Sequence, residues 1–181
     1  SGGVLQNTVI SNCVGAVGGG VALTGNDGVV RNCLIDNCRC DGYGGGAAVV
    51  RGTLENCVIR NCKQTGTGAT AYINNISSTM GRGASGIGVY GTTAVVRNCL
   101  VTGCSTEGPY DFGAPVYVGG KAKFYNNTVW TNTTKKAVSH SVYTFDADTV
   151  VANSIFESVT NTTATVDHCF VAATDGDPLF K

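Results

Sequence analysis

Nine cysteines are the first residues of this chain that could carry chemistry. Six fall into three Cys-x4-Cys pairs, Cys33 with Cys38, Cys57 with Cys62 and Cys99 with Cys104, a spacing that invites a metal or disulfide reading. Equivalent positions elsewhere hold Thr8, Ser154 and Val159, and none of these can replace a thiolate ligand. Thiols that point the same way on neighbouring segments also make poor bridge geometry. The pairs therefore read as buried free thiols acting as small apolar filler, with no metal and no cofactor implied. Cys40 stands outside the spacing and is the expected reactive thiol.

A second chemistry would need carboxylates. Asp146 and Asp148 in FDADT form the nearest approach to a pair, with His140 close by in sequence. Two carboxyl groups and an imidazole could share general acid–base work, which makes this trio the catalytic candidate. The competing reading is a tight turn in which Asp caps its own backbone. A third chemistry is sugar binding. Tyr72, Tyr110 and Phe112 offer stacking faces, and Arg82 and Asp111 offer directional polar contacts. Tyr43, Tyr90 and Tyr117 occur in the same stretches of the chain, where tyrosines could equally pin turns against a wall.

What positions these residues is a repeat. VLQNTVISNC from Val4, VVRNCLIDNC from Val29, TLENCVIRNC from Thr53 and VVRNCLVTGC from Val95 share one pattern; FYNNTVWTNT, VVANSIFESV and TVDHCFVAAT continue it. Pivot asparagines at Asn7, Asn32, Asn56, Asn98, Asn127 and Asn153, with His168 in the last copy, are mostly 24 to 29 residues apart. Between them recur GGGVALTG, GGGAAVV, ASGIGVYG and GAPVYVGG. Each unit is a Gly-rich turn, a short strand, a second turn and a longer strand bent at Asn, which tolerates a left-handed backbone. Stacked coils of this kind predict three parallel sheets and in-register columns.

The columns assign roles. After the pivot come Thr8, Cys33, Cys57, Cys99, Thr128, Ser154 and Cys169, all small. Two residues later come Ile10, Ile35, Ile59, Val101, Trp130, Phe156 and Val171, the core filling. Val9, Leu34, Val58, Leu100, Val129, Ile155 and Phe170 lie between two inward positions: either the bend disturbs the alternation and they join the core, or alternation turns them outward as an aliphatic stripe able to pack on a partner. Arg31 should lie over Glu55, and Asp36 over Arg60. One interval is long: 42 residues separate Asn56 from Asn98, the excess falling in an inserted turn at residues 63–85. Long turns on a tight solenoid are where function tends to sit.

Composition agrees with strands and turns. Gly supplies 26 of 181 residues and charged residues only 13%. Twelve basic and twelve acidic side chains cancel, which disfavours nucleic acid as a partner. No apolar run is long enough to insert in a membrane. The expectation is an all-β, right-handed single-stranded parallel β-helix of about six to seven coils. It would fill residues 1–181 as one domain of a longer chain. No amphipathic helix precedes Val4, so the first coil's edge calls for upstream residues or a partner.

The strand–Asn–strand bend in VVRNCLI resembles that of the right-handed parallel β-helix superfamily that includes pectate lyases. The GGG-apolar motif with FYNN from Phe124 is similar to repeats of bacterial surface β-helix proteins, and GDPLF from Gly176 resembles an end tag of secreted members. The resemblance implies a secreted or cell-surface bacterial module. The residues themselves favour polysaccharide binding, at Tyr72, Arg82, Tyr110, Asp111 and Phe112. The alternatives are a fragment of a polysaccharide lyase or glycoside hydrolase, and a structural stalk or adhesin passenger. The lyases would bring a Lys or Arg base and clustered carboxylates holding calcium, which this segment does not display.

Overall fold

The computed structural model describes residues 2–66, 83–108, 114–134, 141–144, 146–161 and 163–172. These residues contain 25 strands and essentially no helix. Every pairing is parallel, and each links one coil to the next. Strand order in each sheet follows the sequence copies, so like residues stack: Val58 lies between Leu34 and Leu100, and Ile59 between Ile35 and Val101. The molecule is a parallel β-solenoid.

The sheet count differs from expectation. There are four sheets, of seven, seven, five and six strands. In the second coil they receive Val29–Arg31, Leu34–Asp36, Arg39–Tyr43 and Ala47–Val49 in turn. The extra sheet follows from a second bend. Asn12, Asn37, Asn61, Gly103 and Thr131 all take φ between 51° and 62°, as do the first pivots Asn7, Asn32, Asn56 and Asn98 at 53° to 54°. Each copy therefore turns twice. Five coils carry a strand in all four sheets. The seven copies overcount turns because, among the described residues, the sixth coil skips the third sheet and the seventh contributes Thr165–Asp167 and Phe170–Val171 alone. The solenoid thus makes about five turns, not six to seven. Lys63–Gln64 is a third-sheet strand, so the inserted turn begins after it.

Inward residues form one core. Ile35, Leu54, Ile59, Ile87, Val96, Val101 and Phe124 are fully buried. The Gly-rich motif is explained by close approach: a Cβ on Gly46 would sit 2.4 Å from Ile59 Cγ2. Pivot asparagines bond along the axis, as in Asn37 Nδ2 to Asn12 Oδ1 at 2.7 Å and Asn98 Nδ2 to Asn56 Oδ1 at 3.1 Å. Asp36 and Arg60 pair at 3.0 Å. Arg31 is in register with Glu55, whose carboxylate accepts from Arg97 Nε at 2.7 Å on the next coil.

One copy is registered differently from the sequence alignment. Leu100 pairs with Thr128 and Val101 with Val129, so Asn126 is the pivot, with φ 57°. Asn127 occupies the small column instead. Val129 is therefore fully buried and Trp130 stands on the outer side, half-buried. In the aliphatic stripe Thr128 takes the place expected for Val129; the other six members are half-buried or exposed, Val9 and Leu100 most of all. The physical reason is the buried amide of Asn127. Its Oδ1 accepts from Cys99 N at 2.9 Å and its Nδ2 donates to Val96 O at 3.1 Å. An amide bonded at both ends is cheap to bury, whereas Trp130, larger than the Ile, Val or Phe156 that fill this column elsewhere, would overpack it.

Candidate functional site

The small column has a chemical job beyond size. Across the bend the pivot N–H and the next carbonyl stay in the ladder, as in Asn32 N to Glu55 O and Val58 N to Cys33 O. The N–H that follows the pivot is bonded instead by a side chain of the next coil. Cys33 N donates to Cys57 Sγ at 3.4 Å, Asn127 N to Ser154 Oγ at 3.0 Å, and Cys104 N to Asn132 Oδ1 at 2.9 Å. The same side chains return a hydrogen to a carbonyl: Cys57 Sγ lies 3.1 Å from Glu55 O, and Ser154 Oγ 2.7 Å from Ala152 O. Cys, Ser and Asn are small groups that both accept and donate, which is why they interchange here.

All nine cysteines are free, seven of them buried. Burial pushes the Cys38 thiol up to about 11 and Cys40 up to about 12. Cys40 is fully buried within Arg39–Tyr43, so the residue expected to be reactive is protected. Cys62 is also pushed up, by its hydrogen bond with Cys104 and then by burial. Within the Cys57–Cys99 pair the hydrogen bond between them lowers Cys57 and raises Cys99, so Cys57 ionises first. Among the described residues no group of three or more His, Cys, Asp or Glu side chains could hold a metal. None of their helices is long and apolar enough to cross a membrane.

Tyrosines gather outside the fourth sheet. Its outward positions run Ala22, Ala48, Gly88, Tyr117 and Tyr143. The ring of Tyr43 lies on Gly88, where a Cβ would come within 2.3 Å of Cε1. Tyr43 meets Tyr117 edge-on at 6.0 Å, and Tyr117 stacks on Tyr143 at 5.3 Å with planes 1° apart. Tyr43 and Tyr117 are buried and their hydroxyls are pushed upward by that burial. These two pack the wall rather than face a ligand. Tyr90 and Tyr143 are half-buried at its margin.

Beside this shelf runs a groove of about 370 Å³, where the fourth sheet turns into the first. Three successive coils line it: Tyr90, Gly91 and Thr92; Gly120 and Lys121; Asp146, Ala147 and Asp148. Rungs about 4.8 Å apart make it roughly 10 Å long. Asp146 accepts the Gly120 N–H, and its carbonyl closes the turn by accepting from Thr149 N at 3.0 Å. Asp148 pairs with Lys121 at 2.7 Å, both side chains largely in solvent. That contact raises the Lys121 ammonium above its ordinary value. FDADT does turn after the strand, but the Asp146 carboxylate caps Gly120 of the preceding coil rather than its own backbone, and Asp146 and Asp148 both line the groove.

His140, Tyr72, Arg82, Tyr110, Asp111 and Phe112 lie outside the described residues. Sequence reasoning missed Lys121, Gly91 and Gly120. The signal was the Gly-Gly-Lys step at residues 119–121, set one coil before FDADT. The chain matches no family model, no curated protein and no solved structure, and what places it among parallel β-solenoid repeat proteins is its own strand register.

Proposed function

We propose that this chain is a polysaccharide-binding module of a secreted or cell-surface bacterial β-helix protein, akin to the pectate-lyase-like superfamily. The sugar is held in the corner groove beside the fourth sheet. The observation that carries the reading is the juxtaposition of Tyr90 with Asp146, Asp148 and Lys121 across three coils. An aromatic side chain can cover the apolar face of a sugar ring, while carboxylates and an ammonium exchange hydrogen bonds with its hydroxyls. The Lys121–Asp148 pair is solvated on both sides, so it stabilises the fold little and gives up its contact cheaply to a ligand. Gly91 and Gly120 let the coils close up at the floor, where a Cβ would sit 2.0 Å from Val50 O and 2.7 Å from Gly91 N. A shallow, wet groove of this kind binds weakly and through bridging water.

The test is a glycan array on the parent protein, followed by titration of any hit against Tyr90→Ala and Asp148→Asn. Tyr90→Ala should lose most of the affinity with an unchanged melting temperature. A parent that retains no polysaccharide, or a Tyr90→Ala variant that binds as the parent does, counts against the reading. The exposed stripe through Val9 and Leu100 favours a second reading, a stalk or passenger that packs on a partner along its outer wall.

A further inference from the structure

The corner groove is lined by three charged side chains, Lys121, Asp146 and Asp148. Lys121 and Asp148 answer each other at 2.7 Å, which leaves Asp146. Among the described residues Asp146 makes no ion pair. The other cations of this region are placed elsewhere. Lys123 is exposed on the first sheet and does not line the groove. Arg51 belongs to the coil before Gly91, three rungs from Asp146. At about 4.8 Å per rung that is about 14 Å, beyond the screening length of about 8 Å at physiological salt. The groove therefore keeps a surplus negative charge.

That charge is fixed in place. Asp146 Oδ2 accepts the Gly120 N–H, and among the described residues Oδ1 has no hydrogen-bond partner. An anchored carboxylate with one free oxygen calls for a donor from a ligand. Tyr90 lines the same groove, and the face of a tyrosine ring attracts a cation as well as the apolar side of a sugar. A charge-assisted hydrogen bond is about twice as strong as a neutral one. Ring face and carboxylate together thus favour a protonated amine over a hydroxyl. A ligand carboxylate would instead meet the surplus charge, with Lys121 already engaged by Asp148.

We propose that the polysaccharide taken by this groove is a polymer of amino sugars bearing free ammonium groups, and that polymers of uronic acids are refused. The inference rests on the polysaccharide-binding reading above and adds the charge of the ligand to it. Lys121 then works against the ligand it sits beside. It occupies a carboxylate that an amine can use, so its removal strengthens binding, a sign that a merely structural lysine would not give.

Calorimetric titration of the parent with hexamers of glucosamine, N-acetylglucosamine and galacturonic acid tests this, at mildly acidic pH where the free amines are protonated. The glucosamine hexamer should bind about tenfold tighter than the acetylated one, as expected for one hydrogen bond to a charged group, and the gap should shrink as salt rises. Asp146→Asn keeps an amide oxygen for the Gly120 N–H, so the turn survives, and it should bring the two hexamers to equal affinity. Lys121→Gln frees Asp148 and should tighten glucosamine binding several-fold. Equal affinity of the parent for the two hexamers, looser glucosamine binding by Lys121→Gln, or a galacturonate hexamer that binds the parent best overturns the amino-sugar inference and leaves the polysaccharide reading standing. A parent that holds none of the three and no polysaccharide on the array overturns both.

Discussion

The two corners that flank the first sheet obey different rules. The bend leaving it spans two residues in every one of the seven rungs, from Asn7 and Thr8 to His168 and Cys169. The corner entering it ranges from two residues after Val49 to five after Leu23 or Thr144. The difference is in how backbone groups are satisfied. At the bend a left-handed pivot strands one N–H, and only a small accepting side chain on the next coil relieves it, so length and residue type are both fixed. At the entering corner the turns close on themselves, as Ala94 N does on Gly91 O and Thr149 N on Asp146 O. Their length is free, and unequal neighbours make the groove.

Thiol chemistry should respond most strongly to breaking the bend. In the native protein a thiol reagent at neutral pH should reach at most the two half-buried cysteines, Cys13 and Cys169, because the other seven are buried, and burial also keeps Cys38 and Cys40 protonated up to about 11 and about 12. Denatured without reductant, it should titrate nine thiols, matching the free state of every cysteine. A count of three or fewer would mean that the columns are bridged and the bend is held covalently.

Core packing comes next. Ile59→Ala should cost about 2–5 kcal/mol, the usual range for a buried large-to-small change, since Ile59 is fully buried between Ile35 and Val101. Val58→Ala, in the half-buried stripe, should cost clearly less. Urea unfolding of the two variants measures the difference. Equal losses would put the stripe inside the core.

Asn127 tests the capping rule itself. Asn127→Ala leaves Cys99 N and Val96 O without the partners they have at 2.9 Å and 3.1 Å. The expected loss is about 1–3 kcal/mol, the penalty for orphaned buried groups. Asn127→Ser should recover part of it, as Ser154 caps the same N–H position one coil later. If Ala and Ser behave alike, the column selects for size and not for hydrogen bonding.

The legibility of the sequence follows the same division. Where two-residue bends repeat, Asn32, Asn56 and Asn98 announced the stacking, and the Asp36–Arg60 match anticipated an ion pair now seen at 3.0 Å. The alignment slipped at FYNNTVW because two adjacent asparagines both fit a pivot, and only the polar cap on Cys99 N decides between them. The second bend was written in the same code, but Gly103 and Thr131 hid its regularity. The groove was half legible. Asp146 and Asp148 were visible as a pair, while Lys121 and Tyr90 join them only through stacking of turns that share no pattern.

The smallest effect separates the ion pair on the regular wall from the one at the variable corner. Arg60 and Asn61 donate to the Asp36 carboxylate, which holds it below its ordinary value near 3.8. A carboxyl depressed in the folded state contributes stability above its unfolded pKa and loses it as pH falls through the lower, folded value. Parent and Asp36→Asn should therefore differ at neutral pH and converge on acidification below about 4, where the unfolded carboxyl protonates first. At the corner the sign reverses, because Asp148 raises Lys121. That contribution is present below the unfolded lysine pKa and fades as pH rises through the folded one. Both pairs are exposed enough that salt should shrink the effects, and the Lys121 pair, with the more open carboxylate, should vanish first. Thermal melts at two ionic strengths across the acid and alkaline ranges measure both. If Asp36→Asn tracks the parent at every pH, stacked charges on the wall add register to the alignment and nothing to stability.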